Sequence, residues 1–209
     1  MTCPPVKDAA AAMAWRTALR AEKLAVRQAL RAAEHAVLSA RLEAHLRAWL
    51  AARAPACLAF CAPVNGEFDA RPLAAELLAQ AWAAAMPVVI APARPMIFRA
   101  WTPSTPMTAD RYGIPIPVEG DEVLPDIVLL PLVAFDAAGF RLGYGGGYFD
   151  RTLAALAPRP LAVGVGFELA RTASIHPQPH DLPLDAIITE AGAVFGAASP
   201  SHTRRTLER

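Results

Sequence analysis

Hydrophobic positions recur at helical spacing in the first quarter of the chain and then give way to short apolar runs. Between Pro5 and Arg53, Trp15, Leu19, Val26 and Leu30, followed by Leu38, Leu42, Leu46 and Leu50, fall at helical intervals while Arg and Glu fill the other faces. Two amphipathic helices are predicted there. After Pro55 the period changes. Ala56 to Ala62 contains a short buried strand; Phe68 to Met86 reads as a helix with Asp69 as N-cap and Pro72 in its first turn; Pro87 to Pro92 is a strand again. Met96 to Trp101 alternates like a strand, and Thr102 to Pro125 is a proline-rich connection with little periodicity. Asp126 to Pro131 is a strand, a glycine-rich loop follows, Tyr148 to Ala157 starts a helix, and Leu161 to Phe167 and Asp185 to Thr189 are the last strands. Strands alternating with helices predict an α/β domain with a mostly parallel sheet flanked by helices.

Composition narrows the function classes. The 209 residues suffice for one domain with a sizeable core, and a formal charge of +1 argues against nucleic acid or a membrane surface as partner. The apolar run from Leu77 to Ala93 is broken by Gln80, Pro87 and Pro92, so a spanning helix is not expected. Ala9 to Trp15 runs straight into charged helix, poor material for a secretory signal, and a cytoplasmic location is expected. Cys3, Cys57 and Cys61 form no metal pattern; Cys57 and Cys61 are expected as buried reduced thiols on one face of a strand. Gly196 to Arg209 is polar and is expected to be a flexible tail.

The chemistry concentrates in Arg141 to Arg151, "RLGYGGGYFDR". Consecutive glycines let backbone N–H groups converge on an anion at a helix N-terminus, although such clusters also build turns that bind nothing. The stretch is neither a Walker loop nor a dinucleotide fingerprint. Arg141 and Arg151 suit phosphate oxygens, and Asp150 suits either a magnesium ion or helix capping.

With its neighbours, this stretch resembles the 5-formyltetrahydrofolate cyclo-ligases. "LLPLVAFDAAGFRLGYGGGYFDRTL" (Leu129 to Leu153) is similar to the family signature almost throughout; "APVNGEFDARPL", "FRAWTP" and "PHDLPLDAIITE" resemble further segments in the same order. The likeness spans roughly Trp15 to Gly192. It implies one domain over residues 1–195, with N-terminal helices in 5–53, like the ribose-phosphate-isomerase and CoA-transferase-like folds. It also implies conversion of 5-formyltetrahydrofolate into 5,10-methenyltetrahydrofolate with ATP and Mg²⁺, by a monomer or weak dimer whose partners are small molecules. The alternative within the family is a folate- or nucleotide-binding member without turnover.

Carried over by position, the resemblance assigns ATP to Arg16, Arg20, Arg141, Leu142, Gly143, Tyr144, Gly145, Gly146, Gly147 and Tyr148, and metal to Asp150 and Asp185. Catalytic roles fall to Arg141, Tyr144 and Arg151; Ala62, Glu67, Trp101, Phe135 and Tyr144 line the folate pocket, with Glu67 on the pterin. This chain has Arg16 where lysine is common, Ala70 where threonine is common, and an atypical segment from Leu169 to Thr172. His180 and Asp181 are expected to order a loop.

Overall fold

A computed structural model describes residues 9–195; Cys3 and the expected tail at 196–209 lie outside the described residues. Helices α1 (Ala9–Gln28) and α2 (Ala32–Ala51) form the N-terminal pair. They pack by different means. Helix α2 buries Leu42, Leu46 and Leu50, whose i, i+4, i+8 spacing makes one apolar stripe against the sheet. Helix α1 instead turns a cationic stripe inward, with Arg16 and Arg27 only 8% and 5% exposed while Val26 is 46% exposed. The apolar face expected for α1 is therefore only partly the docking face.

Strands β1 (Cys57–Ala59), β2 (Ala83–Val88), β3 (Ile97–Ala100), β6 (Ile127–Pro131), β9 (Leu161–Val165), β10 (Ala186–Thr189) and β11 (Gly192–Phe195) form a seven-stranded sheet, order β11-β10-β9-β6-β1-β2-β3. The five central strands are parallel, and β3 and β11 close the edges antiparallel. The α/β architecture is the expected one. Strand β11 was not foreseen, because Glu190, Ala191 and Gly192 conceal a tight reversal in which Gly192 adopts φ +115°.

Helix α3 (Arg71–Leu78) ends well short of Met86, and the alanines expected in it form the first half of β2. Ala81 at φ +63° reverses the chain. Pairing with β1 on one side and β3 on the other then outweighs alanine's helical propensity, and Ala85 fits the fully buried centre. Asp69 does accept the Arg71 N–H at 3.0 Å, one residue ahead of the assigned cap Ala70. The proline-rich connection carries a hairpin of β4 (Met107–Ala109) and β5 (Pro115–Pro117). A second hairpin, β7 (Ala134–Phe135) with β8 (Arg141–Leu142), leads through the glycine loop into α4 (Tyr148–Ala155). Cys61 lies beyond β1 rather than sharing its face.

From β1 the chain moves to β2 on one side, and from β6 to β9 and β10 on the other. The order reverses between β1 and β6. Parallel sheets bind ligands outside the carboxyl ends of strands at such a point, because the flanking loops diverge there. The loops after β1 and β6 carry Glu67 and the glycines.

Candidate functional site

Asp136 shapes the approach to the glycine loop. Its Oδ1 accepts the N–H groups of Ala138 and Phe140 at 3.0 and 3.2 Å, closing the hairpin turn, and its Oδ2 accepts the Ile175 N–H at 3.0 Å. The chain then enters Gly143 to Gly147, where Gly145 at φ +99° and Gly147 at φ +62° hold conformations that disfavour side chains. Gly147 is the N-cap of α4.

Arginines ring this loop. Arg20 Nε donates to the Gly143 carbonyl at 2.8 Å, and its guanidinium carbon lies 3.6 Å from where a Cβ on Gly145 would stand. Arg151 Nη2 donates to the Gly146 carbonyl at 2.6 Å. Arg141, 7% exposed, donates to Asp150 Oδ1 at 3.2 Å. The Nε atoms of Arg141 and Arg151 are buried without a hydrogen-bond partner. Burial lowers the Arg141 pKa, opposed by Asp150 and Asp181. Unsatisfied cationic donors beside a glycine loop fit an anion with several oxygens. We expect Gly145→Val to weaken ATP binding by about 10–100-fold, the equivalent of ~1–3 kcal/mol of backbone strain at a left-handed φ; calorimetric titration checks this, and unchanged affinity would remove the loop from the phosphate site.

Glu67 stands at the opposite wall. Asn65 and Gly66, at φ +51° and +75°, turn the chain after β1 so that the Glu67 carboxylate points inward, where Oε2 accepts the Val64 N–H at 3.0 Å. Oε1 accepts the Tyr144 hydroxyl at 2.6 Å. Arg27 Nη2 donates to that hydroxyl at 2.8 Å and stands 3.5 Å from Glu67 Oε1. Burial raises the Glu67 pKa, opposed by Tyr144, Val64 and Arg27; burial also pushes Tyr144 up to about 12, with the Glu67 charge adding to it. Beside Arg27 lies an open depression of about 420 Å³, lined by Gln28, His35, Asn65 and Gly66.

Most of the other expected residues are buried in the core. Phe135 is fully buried beneath the Arg171 guanidinium, 5.0 Å from its ring, and offers no face to a ligand. Trp101, 6% exposed, stacks edge-on against Phe60 in the core, and Ala62 is buried with them. Leu142 is core, so only its backbone is available to a nucleotide. Tyr148 faces outward, its hydroxyl 3.0 Å from that of Tyr112 on the β4–β5 hairpin.

The structure does not bring Asp150 and Asp185 together. Asp185 precedes β10, where Oδ2 accepts the Ala162 N–H at 2.7 Å and Oδ1 meets Arg159 at 3.3 Å. That is the amino end of the parallel strands, opposite the glycine loop. No cluster of three or more Asp, Glu, His or Cys suited to a metal occurs among the described residues. Arg16 is likewise committed: its guanidinium grips Asp181 with both Nη atoms, at 2.5 and 3.1 Å. Burial favours protonation of Asp181, but Arg16 and the Gln178 N–H hold its pKa below the ordinary carboxylate value. Asp181 thus orders its loop as expected, whereas the His180 side chain is largely exposed.

Two basic residues escaped the sequence reading. Arg27 binds the Asn65 and Leu132 carbonyls, both at 2.8 Å, besides Tyr144. Lys23 donates to the carbonyls of Leu169 and Arg171 at 3.1 and 2.9 Å, anchoring the short 3-10 helix Glu168–Ala170 that leads into the atypical segment. The signal was present: Arg16, Arg20, Lys23 and Arg27 lie at i, i+4, i+7 and i+11, one stripe of α1. Arg20 and Arg27 both reach the glycine loop, Arg16 and Lys23 the segments around 176–181 and 169–171.

A parallel sheet whose switch point carries a glycine loop, a ring of arginines and a buried carboxylate defines an α/β enzyme with its site at the carboxyl ends of the strands. A sequence profile of the 5-formyltetrahydrofolate cyclo-ligase family matches residues 12–190, and the chain belongs to that family. The Escherichia coli K12 5-formyltetrahydrofolate cyclo-ligase is 32% identical over 136 residues, 60% of this chain and 72% of that protein. The Haemophilus influenzae enzyme of the same name is 36% identical over 99 residues, 44% of this chain, and this match spans about half (53%) of its length. Among solved structures, the Aquifex aeolicus 5,10-methenyltetrahydrofolate synthetase superposes with a TM-score of 0.75 at 27% identity, covering 93% of this chain and 99% of that one. The Mycoplasma pneumoniae synthetase gives 0.68 at 26%, covering 84% and 98%.

Proposed function

We propose that this protein converts 5-formyltetrahydrofolate into 5,10-methenyltetrahydrofolate, consuming ATP with Mg²⁺ and releasing ADP and phosphate. The observation that carries the reading is the Tyr144 hydroxyl bond to Glu67. One residue of the glycine loop thereby touches the carboxylate suited to an aminopyrimidine edge, so phosphate and folate chemistry adjoin.

The reaction needs this proximity. A formamide oxygen is a poor leaving group; transfer of the γ-phosphoryl group onto it lets N10 attack the formyl carbon, after which phosphate departs and the ring is closed. Such transfer depends on positioning and charge neutralisation more than on a protein nucleophile. The backbone N–H groups of Gly143 to Gly147 bind the phosphates, and Arg20, Arg141 and Arg151 neutralise charge as it moves. Glu67 orients the pterin by accepting two N–H bonds, with Tyr144 and Arg27 fixing its carboxylate. Asp150, with Oδ1 on Arg141 and in the first turn of α4, suits a magnesium ion; when bound, that ion draws charge from the phosphates and eases their transfer. Asp185 is not part of this assignment.

The test follows absorbance of methenyltetrahydrofolate in the near ultraviolet after mixing protein, 5-formyltetrahydrofolate, Mg²⁺ and ATP. An ATP-dependent rise is expected. No rise with folded, folate-binding protein would point to a binding member of the family. We further expect Glu67→Gln to raise KM for folate about 10–100-fold with little change for ATP, because the amide replaces an acceptor of two N–H bonds by one acceptor and one donor. Steady-state kinetics with each substrate varied decides it, equal effects on both counting against a pterin contact. The partners are small molecules and the location cytoplasmic; among the described residues no helix is long and apolar enough to cross a membrane.

A further inference from the structure

The turn that presents Glu67 is held from helix α2 by His35, a half-buried residue on the rim of the depression beside Arg27. His35 Nε2 is 3.0 Å from the Gly66 carbonyl oxygen. A carbonyl only accepts, so Nε2 carries the hydrogen of this contact and donates it. The ring is fixed from two further sides: Ser39 Oγ lies 3.4 Å from Nδ1, and Phe167 meets the ring edge-on with centroids 5.3 Å apart. The bond to Gly66 matters because of the peptide it lands on. A peptide unit is planar, so its carbonyl and its N–H turn together. In the unit between Gly66 and Glu67, the N–H donates to the Val64 carbonyl at 3.1 Å and the carbonyl accepts from His35, so the plane leading into Glu67 is held at both ends. Asn65 stands at a left-handed φ that its surroundings must sustain, and helix α1 does so: Arg27 Nε donates to its carbonyl at 2.8 Å and Gln28 Nε2 to its side-chain oxygen at 3.2 Å. Gly66, also left-handed, has no side chain to anchor it, and backbone bonds alone can fix its direction.

We propose that His35 is a positioning residue for the folate subsite: its bond to the Gly66 carbonyl fixes the turn after β1 and, with it, the direction of the Glu67 carboxylate. The inference rests on the reading of Glu67 as the pterin contact. His35 acts through Glu67 alone, so losing its donor weakens folate binding and leaves the nucleotide side of the site, built on the glycine loop, as it was. A ring that merely packed against Phe167 would behave differently, since any side chain of similar bulk would replace it.

The experiment is calorimetric titration with 5-formyltetrahydrofolate alone and, separately, with Mg²⁺-ATP alone, on the wild type, His35→Leu, His35→Gln, Glu67→Ala and the double variant carrying His35→Leu with Glu67→Ala. Leucine keeps an apolar body against Phe167 but has no donor, and His35→Leu is expected to bind folate about 5–20-fold more weakly, with ATP affinity within about twofold of the wild type. Glutamine carries an amide donor at nearly the reach of the imidazole Nε2, and His35→Gln is expected to recover most of that loss. Added to Glu67→Ala, His35→Leu is expected to cost less than about twofold more, because the group it positions is already gone. Unchanged folate affinity in His35→Leu overturns the proposal. So does an equal loss for both ligands, a loss that His35→Gln does not recover, or full additivity with Glu67→Ala. If Glu67→Ala by itself leaves folate affinity intact, the pterin reading fails and the role of His35 falls with it, an outcome distinct from a failure at His35 alone.

Discussion

Arg27→Met is expected to lower the stability of the fold by about 3 kcal/mol, the scale of breaking a buried ion pair from one side. Arg27 and Glu67 side chains are 6% and 7% exposed. Methionine retains much of the aliphatic stem but none of the donors, so the Asn65 and Leu132 carbonyls lose their guanidinium bonds and Glu67 keeps its charge in a desolvated place. The raised pKa of Glu67 has the same origin, and losing Arg27 removes one of the influences that oppose it. Chemical denaturation of the wild type and variant checks the number. A loss below about 1 kcal/mol, the usual worth of an exposed pair, would mean that water reaches Glu67 and that Arg27 is not what fixes it. Folate affinity should fall as well, since the carboxylate would no longer be held in one orientation.

Asp150→Ala is expected to reduce turnover about 1000-fold, corresponding to several kcal/mol of charge stabilisation, while folate affinity changes by less than about twofold. Two effects combine. The carboxylate suited to Mg²⁺ is removed, and Arg141 loses its bond to Asp150 while remaining almost wholly buried. Single-turnover kinetics at saturating ATP, over a range of Mg²⁺ concentrations, separates them. Turnover restored by high Mg²⁺ would indicate weakened metal binding, and near-normal turnover at ordinary Mg²⁺ would dismiss Asp150 from the metal site.

The glycine loop was legible because glycine is chosen for backbone reasons that do not depend on distant partners. Gly145 and Gly147 sit at positive φ, and α4 begins at the next residue after Gly147. Glu67 was legible only through family resemblance, since "NGEF" alone reads as a surface turn. Its burial requires Arg27, forty residues earlier in the chain. Trp101 and Phe135 were ambiguous for a related reason: an aromatic residue suits a core and a ring-binding wall equally, and the structure packs both in the core. The early end of α3 shows local propensity losing to pairing on both sides of β2.

The charged residues separate most clearly what each level decides. Sequence by itself determined the α/β alternation, the glycine loop between Arg141 and Arg151, and the family, because periodicity, glycine spacing and motif order are properties of the chain. Only the tertiary structure decided the partner of each charge. It set Arg16 on Asp181, Arg27 beside Glu67 and Tyr144, and Asp185 at the far end of the sheet from Asp150. An ion pair forms between groups that folding brings within a few ångströms and removes from water, and neither condition is written in the spacing of residues along the chain.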